Sequence, residues 1–125
     1  MAAEGTVRVI AELTGLDQDD RFVDNGSEQT TPTATTGRQY RTLATADTAE
    51  ALDIGDLSTA TLIVLKAIDN DLDVDLDFDT SFDADLTIEA GGPSAVIPSP
   101  AGTVYVKNHG AGETVKYSYL AWGTT

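Results

Sequence analysis

Five aspartates alternate with apolar residues over residues 71–79, where the sequence reads DLDVDLDFD. Carboxylate oxygens are the ligands that calcium prefers, so this row is the most distinctive candidate for chemistry in the chain. A period of two residues puts all the carboxylates on one face of a β-strand and the apolar side chains on the other. The pattern therefore predicts a strand with a core face and a negative, solvent-exposed face. The negative face would carry Asp71, Asp73, Asp75, Asp77 and Asp79, and the core face Leu72, Val74, Leu76 and Phe78.

The spacing of these aspartates does not match an EF-hand calcium loop. Such a loop needs glycine at its sixth position and a bidentate glutamate at its twelfth. Counted from Asp69, these positions hold Val74 and Thr80, and loops that start at Asp71 or Asp73 fail at the twelfth position as well. A straight strand also spreads its carboxylates along a line, whereas calcium needs converging oxygens. We therefore predict no cofactor. The alternative is a looser calcium site near the strand ends, formed by Asp69, Asn70, Asp71, Asp83 and Asp85.

Alternating aspartates carry an energetic cost. Neighbouring carboxylates on one strand face lie about 6.6 Å apart and repel each other by about 0.6 kcal/mol in unscreened water. Aspartate is also a poor strand former. Burial of the apolar face contributes about 1.5 to 3 kcal/mol for each side chain and is sufficient to offset this cost. A bound cation is therefore not required to explain the row.

No other residues form a recognisable catalytic set. His109 is the only histidine and lies in a glycine-rich loop, and the chain has no cysteine. A nucleophilic site needs an oriented base, and a zinc site needs three or four ligands. We predict that His109 is an exposed loop residue and that the protein is not an enzyme. The aromatic residues near the end of the chain could line a sugar-binding platform, but we favour packing for them. They are Tyr105, Tyr117, Tyr119 and Trp122.

The elements that would position these residues are β-strands. An apolar run at residues 62–65 predicts a buried strand, and the corner Asp69-Asn70 would join it to the aspartate strand in a central hairpin. Further strands are predicted at residues 40–46, 86–88, 95–97, 104–106 and 114–119, and residues 48–52 predict either a strand or a helical turn. A glycine-rich loop would join the last two strands in a second hairpin. The pattern predicts an all-β protein: a single antiparallel β-sandwich, jelly-roll-like, with an extended N-terminal segment.

The N-terminal part of the chain differs from the rest. Residues 6–13 predict one strand, and residues 14–39 predict a long loop or extended arm in which Phe22 and Val23 are the only apolar pair. Loops of this length usually carry function or are ordered by a partner. We therefore divide the chain into an N-terminal strand and arm at residues 1–39 and a sandwich core at residues 40–125. The sequence Asn25-Gly26-Ser27 also matches a glycosylation acceptor, a motif that often arises by chance.

Charge limits the range of partners. The chain has 21 acidic and 7 basic residues, a formal net charge of −14. Such a charge repels nucleic acids and anionic membranes, so neither is an expected partner. Acidic surfaces with few lysines are typical of proteins from high-salt cytoplasms, and a halophilic source is one expectation. The other is an acidic surface at ordinary salt. No stretch resembles an export signal or a membrane span, so we expect synthesis in the cytoplasm without a signal peptide.

The order of elements from residue 51 onward resembles that of small β-sandwich virion proteins of tailed viruses. The similarity rests on the patterning of successive segments and on no catalytic or binding motif. The segments are LDIGDL at residues 52–57, residues 61–66, residues 71–78, LTIEAGGP at 86–93, AVIP at 95–98, TVYVKN at 103–108 and the closing VKYSYL at 115–120. The resemblance implies a structural protein on the exterior of a virus particle, and the first 40 residues depart most from it.

Combined with the sequence pattern, the resemblance leads us to expect a capsid decoration (cement) protein that binds the major capsid protein or other virion proteins. We expect it to form a homo-oligomer, a trimer or another symmetric assembly. The alternatives are a tail, baseplate, turret or fibre-base protein, a carbohydrate-binding or host-adhesion module, and a cell-surface β domain. The expected contact residues come from the first strand, the arm and the end of the chain: Thr6, Val7, Val9, Ile10, Leu13, Phe22, Val23, Tyr119 and Trp122.

Overall fold

The computed structural model describes residues 3–15, 20–24, 28–29 and 32–125. Every regular element in these residues is a β-strand, which confirms the all-β expectation. In this part of the chain no helix has the length and apolar character needed to cross a membrane. The chain divides into two compact units, Met1–Pro32 and Thr33–Thr125. The boundary predicted from the sequence, after residue 39, lies later in the chain than this division.

The described residues of the first unit form four short strands. They are β1 (Gly5–Thr6), β2 (Val9–Leu13), β3 (Asp20–Asp24) and β4 (Glu28–Gln29). β1 pairs with β4, and β2 pairs with β3, both antiparallel. The single strand expected at residues 6–13 is thus two strands. The expected arm also needs correction, because β3 folds back on β2 and places Phe22 opposite Ala11 and Val23 opposite Ile10. The glycosylation motif at Asn25 lies outside the described residues.

The second unit is built from nine strands in two sheets. They are β5 (Ala34–Thr35), β6 (Gln39–Thr42), β7 (Glu50–Ala51), β8 (Thr59–Ala67), β9 (Leu72–Asp75), β10 (Leu86–Ile88), β11 (Ala95–Pro98), β12 (Tyr105–Asn108) and β13 (Lys116–Thr124). One sheet has the order β11-β8-β13-β5, with β6 also paired to β13. The other has the order β10-β9-β12-β7. All of these pairs are antiparallel.

The strand order is that of a jelly roll. β5 and β6 pair with different parts of β13 and together form one interrupted edge strand. If β5 and β6 are counted together as strand 1, and β7 to β13 as strands 2 to 8, the two sheets have the strand orders 1-8-3-6 and 2-7-4-5. The chain therefore passes to the opposite sheet at every connection of this unit except that from β9 to β10. The jelly-roll-like sandwich predicted from the sequence is confirmed.

Both hairpins predicted from the sequence are wrong. β8 pairs with β11 and β13, whereas β9 pairs with β10 and β12, so the two expected hairpin partners lie in different sheets. The same holds for β12 and β13. A short polar corner can connect two strands as a hairpin within one sheet, or it can connect a strand of one sheet to a strand of the facing sheet about 10 Å away. Local sequence does not distinguish these two outcomes.

The core lies between the two sheets of the second unit. Its buried side chains include Leu65, Leu72, Val74, Val106 and Tyr117, each at most 1% exposed. Tyr119 is also buried, and its hydroxyl donates a hydrogen bond to the backbone oxygen of Asp53. Burial raises the pKa of Tyr119. Tyr119 is therefore a core residue, which corrects its assignment as a contact residue.

A β-bulge in β8, where Thr61 is the extra residue, depends on a glycine of β13. The register between β13 and β8 shifts between Trp122 and Gly123. A Cβ atom at Gly123 would lie 1.9 Å from the backbone oxygen of Thr59 and 2.9 Å from the Cα of Ala60. Backbone atoms of a paired strand cannot move aside without loss of pairing. This position therefore excludes a side chain of any size.

We predict that Gly123→Ala destabilises the fold, because the methyl group forces β8 and β13 apart. Overpacking of this kind costs about 1 to 3 kcal/mol or more in the free energy of unfolding. Urea unfolding followed by circular dichroism measures it. Gly102→Ala is the matched control, since a Cβ there meets no atom within 4 Å. Equal stability of the two variants would contradict the role of the bulge.

Candidate functional site

The aspartate row is not a line of solvated carboxylates. β9 ends at Asp75, so only the first part of the row lies on a strand. Asp71 Oδ1 accepts a hydrogen bond from the backbone N–H of Ala90 at 2.9 Å. Asp73 Oδ1 accepts one from the hydroxyl of Thr87 at 2.6 Å. Asp75, expected on the exposed face, is only 1% exposed. These carboxylates are acceptors for neighbouring strands and loops, which corrects the expected solvated face.

Asp75 closes the connection between β9 and β10. Its Oδ1 accepts the backbone N–H of Asp77 and its Oδ2 accepts that of Asp83, both at 2.9 Å. The N–H of Asp83 is the main cause that holds the pKa of Asp75 below its usual value, and it outweighs the opposing effect of burial. Asp85 acts in the same way from the other end, since its Oδ2 accepts the N–H of Leu76 at 2.7 Å. Together the two carboxylates hold the β9–β10 connection in place by accepting its backbone N–H groups.

Three carboxylates converge at this loop. Oxygens of Asp75, Asp77 and Asp85 lie within 4.8 Å of one another. A hydrogen bond with the Asp75 carboxylate and the charge of Asp85 raise the pKa of Asp77. Crowding therefore disfavours the ionised form of Asp77. We refer to Asp75, Asp77 and Asp85 as the carboxylate cluster.

The carboxylate cluster differs from the calcium site weighed in the sequence. Only Asp85 belongs to both sets. The carboxylate of Asp69 accepts the backbone N–H of Lys116, that of Asp71 accepts the N–H of Ala90, and Asp83 contributes its backbone N–H to Asp75. The amide of Asn70 donates to the backbone oxygen of Thr114, so the structure does not bring the five expected residues together as one site. Among the described residues, those able to contact one cation are the residues of the carboxylate cluster. Three carboxylates supply fewer oxygens than the six to eight that calcium takes unless all three bind bidentately.

His109 lies at the surface, as the sequence predicted, with its side chain 55% exposed. Its Nδ1 is 2.9 Å from Asp73 Oδ1, the oxygen that also accepts the Thr87 hydroxyl. A nucleophile must reach the base directly, with the carboxylate behind the base. Here the hydroxyl and the ring share one carboxylate oxygen instead. This arrangement joins two strands to a loop and does not activate Thr87.

The expected aromatic platform is divided by the fold. Tyr117 and Tyr119 are buried, and the Tyr117 hydroxyl donates to Glu50 Oε1 at 2.9 Å. Tyr105 stacks on Phe78 with ring centroids 3.9 Å apart. Trp122 alternates with the inward residues of β13 and so lies on the outer side of its sheet. Packing, which we favoured from the sequence, accounts for three of the four rings.

Most of the predicted contact residues meet in the β2–β3 hairpin, which comprises residues 9–13 and 20–24. Val9, Ile10, Leu13, Phe22 and Val23 lie on its two strands. Ile10 is 59% exposed and Phe22 61% exposed, and Leu13 and Val23 are also among the exposed large apolar residues. Thr6 belongs to β1, and Val7 lies between β1 and β2.

The hairpin has apolar side chains on both faces. Ile10 and Val23 form a cross-strand pair on one face, where Glu12 also makes an ion pair with Arg21 at 3.1 Å. Ala11 pairs with Phe22 on the other face, together with Leu13. Neither β2 nor β3 pairs with any further strand in the described part of the chain. The hairpin is therefore a two-stranded ribbon with more apolar surface than two strands can cover.

Comparison with known proteins adds no assignment. No protein-family model, curated protein or solved structure matches the chain.

We predict that Asp77→Asn stabilises the protein at pH 7, because it removes a carboxylate whose ionisation its neighbours oppose. A raised pKa means that ionised Asp77 destabilises the folded state above that pKa. The benefit of the substitution should thus shrink as the pH falls below the ordinary aspartate value, where Asp77 is protonated in both the folded and unfolded states. Urea unfolding at pH 7 and pH 3 measures the difference. Asp79→Asn, in the same loop but outside the carboxylate cluster, is the control, and a larger gain for it would contradict the prediction.

Proposed function

We propose that the protein is a non-enzymatic structural protein of a virus particle, a capsid decoration protein that binds a neighbouring subunit through the β2–β3 hairpin. In this proposal the sandwich lies on the particle exterior and the hairpin bridges subunits of the major capsid protein. The observation that carries the proposal is the hairpin itself, whose exposed apolar residues lie on both faces of a two-stranded ribbon.

The β2–β3 hairpin buries too little of its apolar surface to be stable by itself. An isolated two-stranded hairpin is marginally stable in water, and independent stability needs a third strand or a packed face. The exposed Ile10 and Phe22 side chains would each contribute about 1.5 to 3 kcal/mol if fully buried. Aromatic residues that insert into a partner pocket often dominate the binding energy of an interface. The hairpin is thus suited to be ordered by another protein.

The fold of the second unit also supports a role in a virus particle. The jelly roll is a common fold of viral capsid domains, although it also occurs in lectins and enzymes, so it supports the proposal only by analogy. The arrangement of His109, Asp73 and Thr87 gives no activated nucleophile. A non-enzymatic role agrees with that geometry.

The charge of the chain fits a solvent-facing position. A net charge of −14 disfavours contact with packaged nucleic acid and keeps the protein soluble. At high salt the Debye length falls to about 3 Å at 1 M, so crowded surface carboxylates repel each other less. A virus of a halophilic host is the source that agrees best with this composition.

The proposal is tested on particles purified by density gradient from the producing host. Cryo-electron microscopy and quantitative mass spectrometry locate and count the protein. A capsid decoration protein covers the whole shell in many copies. A ring at a single vertex would support a tail or fibre-base role instead, and absence from the particles would contradict both.

We predict that Phe22→Ser weakens binding to particles depleted of the protein by at least about tenfold, because loss of a buried aromatic anchor commonly costs 2 kcal/mol or more. Stability of the purified protein should change by no more than about 0.5 kcal/mol, since the side chain is exposed. Ile68→Ser is the matched control, because Ile68 is an exposed apolar residue of the second unit. Co-sedimentation measures binding. Equal binding by the two variants would refute the role of the hairpin.

We also predict that the urea midpoint of unfolding rises between 0.1 M and 2 M NaCl. The Debye length falls from about 10 Å at 0.1 M to about 3 Å at 1 M, which weakens repulsion among exposed carboxylates. A variant with asparagine at Asp77, Asp79 and Asp83 should show a smaller rise, because it lacks three of these charges. A midpoint independent of salt, or equal slopes for the two proteins, would remove the support for a high-salt environment.

A further inference from the structure

The outer side of the five-stranded sheet differs in charge from the rest of the molecule. Residues that alternate with the core-facing ones of β6, β8, β11 and β13 point outward, and the register aligns them across the sheet. Tyr40 lies opposite Ser118, Ser118 opposite Lys66, and Leu120 opposite Val64. No aspartate or glutamate occupies an outward position on these strands, although the chain has 21 acidic residues.

Three cations, Arg38, Lys66 and Lys116, lie on the outer side of this sheet, and two of them contact or adjoin Ser118 without a carboxylate partner among the described residues. Arg38 Nε donates a hydrogen bond to Ser118 Oγ at 3.1 Å, and its guanidinium lies over the Tyr40 ring, 5.1 Å from the centroid. Lys66 is exposed beside Ser118. Neither residue takes part in the ion pairs found among the described residues, which are Arg21–Glu12, Arg41–Asp53 and His109–Asp73.

The surface has the shape and composition of a docking site. A depression of about 230 Å³ is lined by Arg38, Lys66, Val64, Leu120 and the hydroxyl of Ser118. Tyr40, beside it, is 65% exposed. Tyrosine and arginine are enriched among the residues that dominate binding energy at interfaces. We call this surface the basic face and define it as Arg38, Tyr40, Val64, Lys66, Ser118 and Leu120.

The same unit carries a surface with the complementary chemistry. A groove of about 540 Å³ lies along β10 and β11, the unpaired edges of the two sheets. Two members of the carboxylate cluster, Asp77 and Asp85, line it together with Leu76, Leu86 and Pro98. We call it the acidic groove. Both surfaces thus combine apolar side chains with charge, and the charges have opposite sign.

We infer that the basic face of one copy of the protein docks against the acidic groove of a second copy. The guanidinium of Arg38 and the ammonium of Lys66 would supply cations to Asp77 and Asp85, which form no ion pair with the described residues of their own chain. Hydrogen bonds between such ionised groups are stronger than neutral ones, and arginine can bind a carboxylate through two N–H groups. The Ser118 and Tyr40 contacts already hold Arg38 in place, which reduces the entropy lost on binding.

The two surfaces are different, so the contact is heterologous. A heterologous contact forms a closed ring if its rotation closes and an open chain if it does not. The net charge of −14 on each copy opposes association, but this repulsion is screened beyond about 8 Å at physiological ionic strength. Contacts between opposite charges at the interface act over shorter distances and are screened less. The inference is independent of the viral setting and is tested on the purified protein.

The test is sedimentation equilibrium of the full chain at 0.15 M and 1 M NaCl. The wild-type protein should associate, and the double variant Arg38→Glu with Lys66→Glu should raise the dissociation constant at least about tenfold. The pair Arg8→Glu with Arg21→Glu is the control, because it changes the net charge equally and both residues lie in the first unit, outside the basic face and the acidic groove. It should associate like the wild type. Circular dichroism checks that each variant is folded, and Arg38→Gln and Lys66→Gln serve as milder substitutes.

Charge exchange identifies the acidic groove as the counterpart. The double variant Asp77→Lys with Asp85→Lys should also fail to associate alone, whereas its mixture with the Arg38→Glu, Lys66→Glu variant should associate again. A wild-type protein that stays monomeric at both salt concentrations would overturn the inference. So would a basic-face variant that associates as well as the control, or a mixture that does not recover association.

Discussion

The antiparallel pairing of β8 with β13 is the interaction on which the sandwich depends. It runs from Thr59 opposite Thr124 to Ala67 opposite Tyr117, and every other strand of the five-stranded sheet pairs with one of these two. Their inward residues, among them Leu65 and Tyr119, form one wall of the core. Their outward residues carry the basic face. One pairing between strands that are distant in sequence therefore sets both the core and the surface, and no local signal could specify it.

Acidic residues serve this fold as acceptors for the backbone at its corners. Because the chain crosses between the sheets at most connections, the corners carry N–H groups that no strand satisfies. Asp47 accepts the N–H of Gly112, the main cause that lowers the pKa of its carboxyl. Other carboxylates do the same for loop, turn and strand-end N–H groups: Glu50, Asp53, Asp69, Asp71, Asp75 and Asp85. Part of the acidic composition therefore serves the fold. Only the remaining carboxylates bear on whether the protein is adapted to high salt.

The sequence predicted most strands after residue 39, missed those within residues 14–38, and predicted the strand pairing poorly. The strands at residues 86–88 and 95–97 were predicted nearly to the residue because Pro93, Pro98 and the turn glycines bound them. The two hairpins were wrong because a short corner fits a turn or a crossing equally well. Asp75 was placed in solvent because alternation does not reveal that the strand ends there and that a loop covers it. The carboxylate cluster likewise depends on the loop path, which brings Asp85 back to Asp75.

In the proposed function the sandwich is stable by itself, and the β2–β3 hairpin is ordered by a partner. Amide hydrogen exchange of the purified protein, read by mass spectrometry, tests this most directly, because exchange reports the local free energy of opening. We expect the amides of β2 and β3 to exchange orders of magnitude faster than those of β8 and β13, since neither β2 nor β3 pairs with a third strand in the described part of the chain. Protection of β2 and β3 equal to that of β8 and β13 would contradict it and would show that the hairpin is already stable within the chain.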